Sequence, residues 1–293
     1  MSVAAKHIVV EAVPFDRPPF ARDMLAGQVA MVTGGGSGMG LGMATAFAQA
    51  GVAVAVFGRT LERAENGAAS LRMLGVQAIA IGGDVRDPAL IAGAFDRAEA
   101  ELGPVTILAN NAGGNYPVLA ETMSPGQWRS ITRIAIDGTF LCSTEFARRR
   151  IAAGGGGAVV NNSAQYVWSG FPGDAHSAAA KAAIVTMSAA LAVDWKPHAI
   201  RVNCVAAGFF PHARSGSGDS VEATAALGTM FPIGRVGRMR EFGWASVFLC
   251  SPLAAGITGE TFVIDGGDRL RRQLMSPAFV PPRERESIWG TAP

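Results

Sequence analysis

The apolar run Val29 to Thr33 empties directly into Gly34-Gly35-Gly36-Ser37-Gly38-Met39-Gly40, and a helical apolar pattern begins at Leu41. Few local structures accept so much glycine between a strand and a helix. Gly34 permits a tight turn, Gly38 lets a ligand approach the backbone, and Gly40 lets the helix lie close to the sheet. Free N–H groups and the positive end of the helix dipole then meet at one point, which suits phosphate. With Gly36, Ser37 and Met39, these residues form the expected cradle of a dinucleotide. A glycine turn alone is a weak signal; the strand before it and the helix after it give it weight.

The alternation continues along the chain. Strands are read at Val52 to Phe57, Val76 to Ile81, Val105 to Ala109, Ala158 to Asn162, Ile200 to Val205 and Thr261 to Ile264. Helices are read at Thr60 to Leu74, Pro88 to Leu102, Ser124 to Ala153 (stopped by Gly154 to Gly157) and Ala175 to Trp195. Continuous apolar strands between helices predict a parallel sheet covered on both faces. The expected fold is therefore α/β: one Rossmann-type domain, a doubly wound seven-stranded parallel sheet with helices on both faces, and ligands at the carboxyl ends of the strands. The domain is expected over 25–268. Residues 1–24 read as an N-terminal arm and 269–293 as a C-terminal tail, both rich in Pro and Arg and expected to pack on a neighbouring subunit.

Composition narrows the partners. Hydrophobic residues make up 49% and charged residues 16%, enough for a large core and little disorder. A net charge of +2 gives no electrostatic footprint for nucleic acid. Low charge with a mean hydropathy of +0.26 points to surface buried between subunits, hence a homo-oligomer, dimer or tetramer. Cys142, Cys204 and Cys250 are far apart without metal-ligand spacing, so they read as buried free thiols of a reducing cytoplasm, with no metal site. The N-terminal residues contain acids and prolines and no long apolar run, so neither a signal peptide nor a membrane span is expected there.

The end of the second strand selects between nicotinamide dinucleotides. An acid there would bind the ribose 2′-hydroxyl, and a basic group the 2′-phosphate. The chain reads Val56-Phe57-Gly58-Arg59-Thr60. With no acid at the tip and a guanidinium suited to phosphate at Arg59, NADPH is the expected cofactor. Asp84, with Val85 behind it, is expected to meet the adenine ring.

Asn110-Asn111-Ala112-Gly113 follows the fourth strand, Lys181 lies in the helix after the fifth, and Asp265-Gly266-Gly267 follows the last. With the glycine turn, these motifs resemble the short-chain dehydrogenase/reductase family over 25–268. The resemblance implies that Asn111, Ala112 and Gly113 line the nicotinamide side, that Lys181 bonds the nicotinamide ribose, and that Gly208 also borders the cofactor. The chain departs from the family at four places. Ser177 stands where the family has a Tyr four residues before the Lys, Ala164 where it has a Ser, Ala135 where it has an Asn, and Ala207-Gly208 where it has Pro-Gly.

Similar departures mark the 2,4-dienoyl-CoA reductases. The mitochondrial type has a Ser four residues before the Lys and its working Tyr fifteen before it. Ser177 and Tyr166 stand at those places, and the chain contains only two tyrosines. Asp137, before Gly138-Thr139, matches a polar Asn of that subfamily; Asp84-Val85-Arg86-Asp87-Pro88 and Gly113-Gly114-Asn115-Tyr116 are further local matches. The resemblance implies NADPH-dependent reduction of 2,4-dienoyl-CoA to 3-enoyl-CoA in auxiliary fatty-acid β-oxidation. Tyr166, and Asp137 if protonated, would donate to the oxyanion, while Lys181 and Ser177 order the water that protonates the product. Two other readings stay open: an NADPH-dependent carbonyl reductase of a 3-oxoacyl or other ketone using Tyr166 as proton donor, and a nucleotide-binding protein with little catalysis. His176 reads as packing, Asn115 as either loop or substrate contact, and Arg148 to Arg150 as cations at a helix C-terminus. Phe209 to Phe231 reads as a flap flanked by Arg214 and Arg235, either of which could meet CoA phosphates.

Overall fold

The computed structural model describes residues 19–211, 228–229 and 231–270. The strands are β1 (Val29–Thr33), β2 (Ala53–Gly58), β3 (Ala78–Gly82), β4 (Ile107–Asn110), β5 (Gly157–Ala164), β6 (Ile200–Ala207) and β7 (Thr261–Ile264). They form one parallel sheet in the order β3-β2-β1-β4-β5-β6-β7. The helices are α1 (Gly38–Gln49), α2 (Leu61–Arg72), α3 (Pro88–Leu102), α4 (Pro125–Thr132), α5 (Gly138–Ala152), α6 (Ala175–Trp195) and α7 (Met239–Cys250).

Strand alternation feeds two cores. Ala30, Val32, Val54 and Val56 pack with Met43 and Phe47 of α1, Leu71 of α2 and Phe242 of α7. Val29, Met31, Ala55 and Phe57 face the other way, to Phe95 of α3, Phe146 of α5 and Leu191 of α6. Because both faces are covered, neighbouring strand residues can all be apolar, which is why the strands read as continuous runs. The expected doubly wound seven-stranded α/β fold is therefore present. Phe20 and Met24 already pack on the first core, ahead of Leu25. Residues 1–18 and 271–293 lie outside the described residues.

Local chemistry fixes the helix ends. The Asp87 carboxylate accepts from Ala89 N at 2.9 Å and Leu90 N at 3.3 Å, with Pro88 opening α3. Ser124 and Gln127 form a capping box at α4. Near the end of α5, Arg149 bonds Glu145, Glu99 and Asp96, each at 2.8 Å, and lies over the Phe95 ring. It clamps α3 to α5. Residues Ala175–His198 are apolar and long enough to cross a membrane by length and composition, but α6 packs against β5, β6 and α4 as a core helix.

Two features differ from the expectation. The long helix read over Ser124 to Ala153 carries a π-helical turn at Arg133–Asp137 between α4 and α5. The extra residue in that turn resets which side chains face inward. No helix was read between β6 and β7, yet α7 lies there. Its sequence mixes Gly243 with Trp, Phe and Val, which are weak helix formers. Packing supplies what propensity lacks: a Cβ on Gly243 would lie 2.5 Å from the Gly42 carbonyl oxygen, so α1 and α7 cross at bare glycine.

Phe146 is fully buried and fills the space over Gly157, where a Cβ would lie 2.6 Å from its Cζ. Phe146→Ala is expected to destabilise the chain by about 3–5 kcal/mol. Urea unfolding checks this; an unchanged midpoint would show that the site collapses around the deletion.

Candidate active site

The sheet order reverses direction on either side of β1 and β4, so their carboxyl ends open a crevice between diverging connections. Gly34 (φ 65°) and Gly38 (φ 53°) take left-handed backbone there. A Cβ on Gly40 would collide with the Gly34 carbonyl and the Asn111 amide, and one on Gly36 would lie 2.5 Å from the Arg63 carbonyl oxygen. Ser37 precedes α1 without capping it through its side chain, and the first turn of α1 holds no acid. The N–H groups opening this helix are thus left for a ligand, and the cradle fits a pyrophosphate.

The other cofactor candidates surround it. Thr33 Oγ1 accepts from Asn111 N at 2.9 Å and Ala112 N at 3.0 Å, stitching β1 to β4. Gly113 follows on the same connection and is exposed. Val85 is buried against Gly138, where a Cβ would lie 2.6 Å from its Cγ2. The Asp84 carboxylate is gripped by Arg86 Nε at 3.0 and 3.1 Å and by Nη2 at 2.5 Å; the Arg86 hydrogen bond lowers its pKa, with smaller help from Arg59. Arg59 itself is exposed just past β2. Gly208 lies against Asp265, 2.6 Å from its Cα for an added Cβ.

The second group gathers where β5 meets α6. Tyr166 lies in a 3-10 turn, Gln165–Val167, directly after β5. Its hydroxyl is 2.7 Å from Ser177 Oγ, in the first turn of α6. Helical spacing sets Ser177 and Lys181 on one side of α6, one turn apart. Lys181 Nζ donates to the Asn162 carbonyl at 2.6 Å, Asn162 Nδ2 to Asn111 Oδ1 at 2.9 Å, and Asn111 Nδ2 to the Thr33 carbonyl at 3.2 Å. A hydrogen-bonded line thus runs from the lysine to the nucleotide turn. Burial pulls the Lys181 ammonium down to about 8. Burial also pushes the Tyr166 phenol up to about 12; the Ser177 hydrogen bond opposes this rise and the Asp174 carboxylate adds to it. Near neutral pH the pair is a cationic lysine and a neutral, donating phenol.

Asp137 does not join them. The π-turn buries Ala135 and turns Asp137 outward, where its side chain is 53% exposed and 3.7 Å from Arg133. It lines a surface pocket with Arg86, Ile136, Phe140, Leu141 and Met187. Asp137 therefore stands exposed beside Arg133, apart from the Tyr166–Ser177 contact, and the structure does not bring it to the position expected of an oxyanion donor. Arg235 is also engaged, with Nη2 2.6 Å and Nη1 3.0 Å from Glu241, leaving little for a phosphate. Phe209 and Phe231 stack with ring centroids 6.3 Å apart; Arg214 and most of the segment between them lie outside the described residues.

Several site residues went unread in the sequence. Asn162 carries the lysine link through its backbone carbonyl. Gln165, buried beside Tyr166, donates to Asp268 Oδ2 at 3.2 Å. Asp174 holds the N-cap position of α6 without capping it and accepts from Asn115 Nδ2 at 2.8 Å; beside it the buried His176, expected as a packing residue, accepts at Nδ1 from Ser177 N at 2.9 Å. The available signal was a polar residue at each strand or helix end, which turns supply everywhere.

A family model described as Enoyl-(Acyl carrier protein) reductase matches residues 34–268. The chain belongs to the short-chain dehydrogenase/reductase family: it is an oxidoreductase that binds a nicotinamide cofactor and acts on small molecules. It is 34% identical over 248 residues to a probable 2,4-dienoyl-CoA reductase of Bacillus subtilis, named as producing the (2E)-enoyl-CoA, covering 83% of this chain and 97% of the relative. It is 34% identical over 255 residues to the peroxisomal 2,4-dienoyl-CoA reductase of Mus musculus, named as producing the (3E)-enoyl-CoA, covering 85% and 86%. Among solved structures, a gluconate 5-dehydrogenase of Burkholderia cenocepacia in complex with NADP and tartrate superposes with a TM-score of 0.77 at 31% identity, covering 86% of this chain and 98% of that one.

Lys181 is charged below about pH 8 and neutral above it. If its ammonium holds the cofactor ribose, affinity for the dinucleotide should weaken as pH rises through that value. Fluorescence titration between about pH 7 and pH 10 reads this, because the window brackets the lowered lysine pKa. A flat affinity across the window would remove the lysine charge from cofactor binding.

Proposed function

We propose that the chain reduces 2,4-dienoyl-CoA thioesters with NADPH, giving 3-enoyl-CoA. The carrying observation is the Tyr166 hydroxyl, 2.7 Å from Ser177 Oγ, with Lys181 one helical turn beyond. It offers a phenol bonded to the serine one turn before the lysine, although α6 itself has no tyrosine. The names of the Bacillus subtilis and Mus musculus relatives support the same substrate class.

When bound, the reduced nicotinamide supplies a hydride. The protein's task is to receive the charge that this delivers. Hydride at C5 of the diene sends an electron pair along the conjugated system to the thioester oxygen. Tyr166, neutral at working pH, donates to that oxyanion, a contribution of about 3 kcal/mol for one preorganised donor. With Asp137 exposed on the surface, no carboxyl donor joins Tyr166 in this reading, and the phenol carries the larger share. Water held by Lys181 and Ser177 then protonates the α-carbon, which leaves the double bond at C3. One hydride and one proton account for the reduction.

The same neutral phenol would also protonate a ketone, so carbonyl reduction is the competing reading. NADPH oxidation with trans-2,trans-4-hexadienoyl-CoA beside a panel of ketones separates the two. Dienoyl-CoA turnover is expected, and Tyr166→Phe should lower it by about 10²-fold, the effect of losing an oxyanion donor. Turnover of ketones alone, or an unimpaired Tyr166→Phe enzyme, would refute the dienoyl-CoA assignment.

NADPH is proposed over NADH because β2 ends without an acid and Arg59 follows it. Arg59→Gln is expected to weaken NADPH binding by about 10-fold or more, a charge-assisted phosphate contact, while leaving NADH nearly unaffected. Equal losses for both cofactors would refute a 2′-phosphate contact. The proposal also includes a single catalytic domain over 25–268 with flanking segments, a homo-oligomer, and a cytoplasmic location, the last supported by free, buried Cys142, Cys204 and Cys250.

A further inference from the structure

The turn after β7 packs on the end of β6 and on the chain that resumes at Pro232. Asp265 folds it: its carboxylate accepts from Gly267 N and Arg269 N, each at 2.9 Å. Gly266 (φ 62°) lies against Ile233, where a Cβ would be 2.6 Å from Cγ1, and Gly267 lies 3.3 Å from Pro232 Cβ in the same sense. Gly208, at the end of β6, packs on Asp265 itself. The turn therefore backs the chain on both sides of the segment read as a flap.

The same turn also reaches the phenol's loop. Gln165 is 8% exposed and directly precedes Tyr166. Its Nε2 donates to Asp268 Oδ2 at 3.2 Å, and its Oε1 accepts from Ser169 Oγ at 3.1 Å. One turn on, the Arg269 guanidinium lies over the Trp168 ring, 5.7 Å from its centroid. The backbone closes the loop between these contacts, with Trp168 N bonding the Gln165 carbonyl at 3.2 Å and Gly170 N the Tyr166 carbonyl at 2.8 Å. A buried amide is costly unless both of its ends are bonded. Gln165 spends one end inside the tyrosine loop and the other on the far turn.

We propose that Gln165 is a positioning residue: its bridge to Asp268 fixes the Tyr166 turn to the turn after β7, which packs on Gly208 at the end of β6 and on Pro232 and Ile233. This rests on the reading of Tyr166 as the oxyanion donor. The bridge touches neither the nucleotide cradle nor Lys181. Its loss should therefore appear in turnover and leave cofactor binding alone.

Gln165→Leu removes both hydrogen bonds at nearly constant volume. It is expected to lower kcat with hexadienoyl-CoA by about 10-fold, the scale of a small misplacement of a reacting group, with NADPH affinity unchanged. In a Tyr166→Phe background the same change should cost nothing further, since there is no phenol left to position. Gln165→Glu sets a carboxylate against Asp268 and should lower kcat similarly. Adding Asp268→Asn restores a donor and acceptor, and should recover most of the loss even if the leucine variant folds poorly. A Gln165→Leu enzyme as fast as the wild type, an equal loss with and without the phenol, or no recovery in the paired variant would each overturn the positioning role while leaving Tyr166 in place. An undiminished Tyr166→Phe enzyme would overturn both.

Discussion

The close approach of β1 and β4 is the constraint on which the rest depends. Gly34, Gly38 and Gly40 let the first connection fold flat against the Asn111 connection, and Thr33 Oγ1 holds the two together. Once that contact is made, Asn111 has one amide end on β1 and the other on Asn162, whose carbonyl takes the lysine. The phosphate cradle and the candidate catalytic cation are thus parts of one hydrogen-bonded body. A side chain on Gly40 would separate them at the origin.

Further polar residues bind the strand ends below this body. Asn110 Nδ2 donates to Ser143 Oγ at 2.8 Å and Asn161 Oδ1 at 2.9 Å, and Asn161 Nδ2 donates to Ser188 Oγ at 2.8 Å. These contacts join β4 and β5 to α5 and α6 from inside. Buried polar groups gain from one another only when bonded, so this set favours a single arrangement of the two helices over the sheet. That arrangement fixes where Ser177 and Lys181 stand.

Most of this frame was legible in the residues. Strands buried on two faces give long apolar runs, and the glycine turn and Arg59 follow from where such strands end; Asn111 and Lys181 were marked only by the family resemblance. What was hidden depends on tertiary geometry. The π-turn adds one residue inside an unbroken helical pattern, and that residue decides whether Ala135 or Asp137 faces inward. Periodicity read at a constant step cannot register it. Helix α7 is built from weak formers and owes its existence to a partner glycine some two hundred positions away. Gln165 matters through a contact with Asp268 that reaches across the end of β6, and no local rule predicts such a pair.

The electrostatics of the site suit Tyr166 to donate rather than to accept a proton. Oxidising an alcohol at this position would require the phenol as a base. Burial pushes the Tyr166 phenol up to about 12, which favours its neutral form near neutral pH and suits it poorly to act as a base. A proton or hydrogen-bond donor has the opposite need, and burial serves it by keeping the hydroxyl neutral. The nearby Asp174 carboxylate strengthens that bias rather than relieving it. Lys181, lowered by burial to about 8, stays largely charged near neutral pH and would add positive potential to an oxyanion held by the proposed site. A neutral donor one helical turn from a cation suits a forming anion, which supports the proposed reduction.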